Sequence, residues 1–220
     1  MCIRDSSFRP WEGAEGRISG QYKIALLEMA KKDIAAGAYS EAEEKLEKAL
    51  VYPENLGEGK LEGTKDNNLY YYLGLVKEAL GKEGAEECFH LAELGDNEPA
   101  GAMYYYDQPA DMILYKGLAK QKLGKTKEAH ACFNKLMDYG ERHLNDVVKN
   151  DFFAVSLPDF LIFEDDMDKR NKAHCYYLMG LANLGMGQKE KAVEEFDKAL
   201  EYDFNHQNCR IYKELAKGEL

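Results

Sequence analysis

Small and apolar residues recur along this chain in one fixed register. A large apolar residue is followed by a small one, then a glycine, then an Ala with Phe or Leu four residues on. The cleanest run is Tyr176, Met179-Gly180, Gly187, Ala192, Phe196 and Ala199. Earlier runs read Tyr70, Leu73-Gly74, Gly81, Ala85, Phe89, Ala92, and Ile113, Gly117, Gly124, Ala129, Phe133, Leu136. The first reads Leu26, Met29-Ala30, Gly37, Ala42, Leu46, Ala49 and closes on Pro53. An apolar spacing of three and four residues places side chains on one helix face. Glycines between the periodic segments suit a reversal between antiparallel helices, where a positive φ is cheap for them alone. The pattern therefore predicts four helix–turn–helix units. Ser40-Glu41-Ala42-Glu43 has the spacing of a capping box opening a second helix.

These residues resemble the tetratricopeptide repeat (TPR), whose pattern is W-x2-L-G-x2-Y, then A-x3-F, then P. The small residue of the first helix lets the Ala of the second come close, and the Phe or Leu one turn later fills the groove. The resemblance implies an all-α, TPR-like α-solenoid that presents a binding surface. The repeats fall at about 18–51, 67–94, 109–139 and 170–201, with a closing helix over 207–217. The Tyr slot of the first helix departs from the pattern, holding Asp33, Lys77, Lys120 and Asn183.

The copies lie farther apart than the roughly 34 residues of that repeat. The excess falls each time after a second helix, in insertions over 52–66, 95–108 and 140–169, and 11–17 precedes the first helix at the equivalent place. In stacked repeats equivalent junctions gather on one edge. Trp11, Glu12 and Glu15 in WEGAEG and Glu58 and Lys60 in ENLGEGKL place charge among glycines, either as solvated turns or as a site for a sugar hydroxyl or a cation. Tyr104, Tyr105, Tyr106 and Asp107 offer contact area at low entropy cost, or else pack their loop on the helices, with Asp107 as a cap. The third insertion, with Asp159 inside it, is too apolar for an ordinary loop. Glu164, Asp165, Asp166 and Asp168 suit the positive end of the helix that follows. His174 lies near that acidic turn and His143 precedes the insertion, but neither has the setting of a nucleophile or an HExxH motif. The candidate binding edge thus comprises Trp11, Glu12, Glu15, Glu58, Lys60, Tyr104, Tyr105, Tyr106, Asp107, Asp159, Asp165 and His174.

Composition narrows the partners. Lys and Arg number 29 against 40 Asp and Glu, a net charge of −11. So acidic a chain repels a phosphate backbone, which argues against nucleic acid and anionic membrane. No apolar run reaches the length of a membrane span. The five cysteines stand singly, without a CxxC pair, and Cys88 and Cys132 each precede a repeat Phe. They read as helix-packing residues of a reducing cytoplasm. No phosphate loop or EF-hand spacing occurs. No catalytic, cofactor or metal residues are expected.

Met1-Cys2-Ile3-Arg4-Asp5-Ser6 is what ATG TGT ATA AGA GAC AGN encodes, and it resembles a transposase-end sequencing adapter. Residues 1–8 are accordingly set apart as a disordered scar, with 9–220 as a single solenoid. Beyond the repeats, RPWEGAEG, YPENLGEGKL, YYYDQPAD, FFAVSLPDFLIFEDD and RNKAHC are similar to the C-terminal region of large bacterial proteins of unassigned function. Those proteins join a β-rich, carbohydrate-enzyme-like N-terminal part to a repeat array. That resemblance implies a protein partner or an upstream domain of the same chain. It also admits a carbohydrate ligand, with the array as an accessory to a sugar-active site.

Overall fold

The computed structural model describes residues 16–101, 108–148 and 166–218, and every regular element among them is helical. The chain divides into two units, one ending at Ala92 and the other starting at Glu93. The first holds two hairpins. These are α1 (Arg17–Ala35) with α2 (Tyr39–Ala49), and α3 (Asn67–Leu80) with α4 (Ala85–Ala92). The second holds α5 (Asp111–Lys122) with α6 (Thr126–His143), α7 (Met167–Gly185) with α8 (Lys189–Tyr202), and a closing helix α9 (Gln207–Lys217). The all-α expectation therefore holds.

The repeated small residue does what its register predicts. A Cβ built on Gly74 would stand less than 3.0 Å from the Phe89 ring, and Gly117 and Gly180 meet Phe133 and Phe196 in the same way. The three rings are almost wholly buried. Each such side chain contributes about 1.5–3 kcal/mol of burial. At the equivalent places the first hairpin holds Ala30 and Leu46, both fully buried. The turn glycines Gly37, Gly81, Gly124 and Gly187 all take positive φ, between 64° and 75°.

Two local readings need correction. The capping box does not form, because α2 starts at Tyr39 and Ser40 already lies inside it. Gly37 reverses the chain so tightly that Ala38 is the N-cap, its carbonyl accepting from Ala42 N–H at 3.1 Å. The second hairpin is one residue short between Gly74 and Ala85, yet its turn holds four residues, 81–84, where the others hold three, because α4 starts only at Ala85. Gly84 adopts φ 86° just before that start.

Lysines beside the turn glycines make ion pairs within each unit. Lys82, next to Gly81, pairs with Glu43 of α2, and Lys125, next to Gly124, reaches Glu93 at 2.6 Å. Cys88, Cys132, Cys175 and Cys209 are buried free thiols. Burial raises the pKa of each, Cys175 to about 11. No described helix is long and apolar enough to cross a membrane.

Candidate binding edge

Of the proposed edge residues, Glu58, Lys60 and His174 lie within the described part. Trp11, Glu12, Glu15, Tyr104, Tyr105, Tyr106, Asp107, Asp159 and Asp165 lie outside it.

In the first unit, insertion one folds back on the helices it joins. A 3₁₀ turn at Glu54–Leu56 buries Leu56, and Gly57 turns the chain at φ 72°. Glu58 then caps α1 from a distance: its carboxylate accepts from Gly16 N–H at 2.9 Å and from Ser19 Oγ–H at 2.6 Å. A carboxylate there answers open backbone donors and the positive end of the helix. Lys60 donates to the Leu50 carbonyl at 2.8 Å and meets Asp66 at 2.6 Å. The Asp66 side chain is only 1% exposed, and Lys23 of α1 approaches its other oxygen at 3.0 Å. Burial works against the Lys23 charge, but Asp66 and Tyr52 outweigh it and raise its pKa. Glu58 and Lys60 are thus committed to holding the insertion in place.

In the second unit the bases of two insertions are closed, and α7 holds both. Insertion two is pinned at its start: Gln108 bonds Asp96 through both N–H and C=O at 2.8 Å, and Lys116 of α5 donates to the Gly95 carbonyl. Burial lowers the Lys116 pKa. Lys135 of α6 pairs with Glu98. His174 of α7 completes the anchorage by donating Nε2–H to the Ala100 carbonyl at 2.8 Å. Its ring is buried, at 7% exposure, and among the described residues no carboxylate faces it. His143 is the histidine with a carboxylate beside it, its Nδ1 lying 2.7 Å from Asp146.

The ends of insertion three meet over the same helix. Asp168 accepts from Val148 N–H at 2.9 Å, and Asn171 donates to the His143 carbonyl at 2.7 Å, answering the last turn of α6. Asp166 is the N-cap of α7, accepting from Lys169 N–H at 3.1 Å. Asp168, Asn171 and His174, spaced three apart, form one stripe on α7. That stripe holds the loop of insertion two and both ends of insertion three on one side of the helix. Asn171 and the partners of His174 escape sequence reasoning, although a polar residue every third position in a buried helix is a detectable signal. Asn67 plays the matching part in the first unit, donating to the Ala92 carbonyl at 2.7 Å.

Aromatic side chains of α5, α7, α8 and α9 in this unit form one cluster. Tyr212 packs against Tyr115, Tyr177 and Phe196, and all four are buried. Apolar exposure lies elsewhere, at Leu94, Val147, Tyr202 and Phe204, the last 72% exposed beneath Arg210.

No family model matches the chain. Among solved structures it is similar to the MamA RS-1 ArsTM double mutant, at 16% identity and a TM-score of 0.30 over 90% of this chain and 84% of that one. It is also similar to a tetratricopeptide repeat protein from Parabacteroides merdae, at 18% identity and a TM-score of 0.31, spanning 90% of this chain and 61% of that one.

Proposed function

We propose that this chain is a non-catalytic TPR-type scaffold that engages a protein surface, in trans or on a further domain of its own polypeptide, through the insertions of its second unit. The observation that carries this reading is the α7 stripe. Asp168, Asn171 and His174 spend three side chains on fixing the bases of two insertions side by side. A packing helix has no need of such anchors. A loop that must present its tip in one place does, because pre-ordering lowers the entropy cost of binding. The rival peptide groove on the first helices of each hairpin is disfavoured here, since Tyr115, Tyr177 and Tyr212 of α5, α7 and α9 are spent on each other.

A photo-crosslinking side chain at position 105 tests the reading against one at Glu194 on the exposed face of α8. Exposed to extract of the source cells, the first is expected to yield discrete protein adducts and the second few. Adducts from the helix position alone would sink the proposal.

A further inference from the structure

Two neighbouring histidines hold the second unit together at the edge just described, and both do so as neutral rings. His174 donates Nε2–H to the Ala100 carbonyl at 2.8 Å. His206 is the N-cap of α9, and its Nδ1 accepts from Cys209 N–H at 3.1 Å. That second bond requires Nδ1 to be bare. A charged His206 would lose it and would set an imidazolium against the positive end of α9.

The Ala100 carbonyl favours a second proton on His174, but burial outweighs it. On its α6 side the His174 ring meets Tyr139 edge-on at 6.3 Å, and Tyr139 in turn lies 4.3 Å from the His143 ring that pairs with Asp146. From the junction of α8 and α9 His206 faces it, and from its own helix Arg170 does. The His206 ring lies 4.8 Å from Tyr177 of α7, with Arg170 opposing its charge and Asp203 favouring it. Charging both rings would put three cations beside one another, and among the described residues only Asp203, acting on His206, answers them.

We propose that His174 and His206 form an acid-released latch: when they take up protons, the 95–101 loop leaves α7 and the first turn of α9 opens. The edge that carries insertion two is then fixed near neutrality and loosened in mildly acidic surroundings, whether or not that edge binds a protein.

The sign follows from the direction of the shifts. Burial, with help from neighbouring cations, pushes both histidines below their ordinary 6.5, His174 to about 4. The released state takes up protons near pH 6.5. The latched state therefore binds fewer protons in between, and its stability falls as pH drops from about 6.5 toward 4. At pH 5 the release constant for His174 alone rises roughly 30-fold over neutrality.

Hydrogen exchange on the full chain at pH 7.5 and 5.0, corrected for intrinsic rates, tests this. Wild type is expected to lose protection at pH 5.0 in peptides covering 95–101 and 206–212, while those from α1 to α4 hold theirs. His174→Gln keeps an N–H donor and His206→Ser keeps an N-cap acceptor, so the double variant should stay protected in both segments. An equal acid loss in wild type and double variant overturns the proposal, as does no loss in wild type. Should the double variant fail to fold, a ring-carbon NMR titration of wild type decides. Midpoints below 6.5 for both histidines support the latch, and a midpoint at or above 6.5 for either overturns it.

Discussion

The phenol of Tyr212 donates a 2.8 Å hydrogen bond to Asp111, joining the closing helix to the start of α5 across 101 residues of sequence. Both groups are buried, and burial together with Asp111 and Tyr115 raises the Tyr212 pKa far above its usual value. Tyr212→Phe keeps the ring but withdraws a partner from a buried carboxylate. It should cost about 1–3 kcal/mol. Tyr212→Ala also removes the ring from Phe196 and Tyr177, and should cost about 3–5 kcal/mol. Urea unfolding of both variants measures the two steps. No loss in Tyr212→Phe would mean that the hydrogen bond contributes nothing, and equal losses in the two variants that the ring contributes nothing beyond it.

The contact of Gly180 with Phe196 makes a sharper forecast. Gly180→Ala drives a methyl into the ring and should destabilise the chain by about 1–3 kcal/mol. The first hairpin offers the remedy, since it pairs Ala30 with Leu46 in the same register. Adding Phe196→Leu to Gly180→Ala should recover part of the loss, so that the double variant is more stable than the sum of the singles. Simple additivity in a thermal or urea cycle would refute this packing account.

Asp66 sits between Lys23 and Lys60 with almost no exposure of its own. The lysines reach water, so Asp66→Asn should cost about 1–3 kcal/mol, less than breaking a fully buried pair. The raised pKa of Lys23 fixes the pH dependence. Its contribution is complete below the unfolded value near 10.5 and is lost as pH rises through the higher folded value. Alkaline unfolding of wild type should therefore be steeper than that of Asp66→Asn. Matching alkaline limbs would show that the pair is not the cause.

Cys88, Cys132, Cys175 and Cys209 should resist alkylation in the native state at pH 8, because each is buried and held as a thiol. Peptide mass spectrometry after brief iodoacetamide treatment reads this directly. Rapid modification of any of the four would contradict their packing.

The helices and their turns were legible because their cause is periodic. Gly74, Gly117 and Gly180 announce a close helix approach by recurring ahead of Phe89, Phe133 and Phe196. Gly84 was not read, because it falls outside the recurring register, in a turn of four residues where the others hold three. The box at Ser40 misled for a related reason: its spacing is correct, but the tightness of the Gly37 turn sets where α2 begins. Among the candidate site residues, the charge of Glu58 and Lys60 showed in sequence, whereas the helix end and the aspartate they serve did not. The bonds from His174 to Ala100 and from Asn171 to His143 join residues distant in sequence, and such pairings leave no spacing to detect.

Phe133 has a glycine on each side, Gly117 of α5 and Gly185 of α7, and a methyl on either would strike its ring. One side chain therefore serves as the floor of its own hairpin and as the ceiling of the next. Melting α5 would strip the same ring that α7 rests on, so loss of the third hairpin is expected to weaken the fourth. Trimming either one would leave the other with an uncovered face.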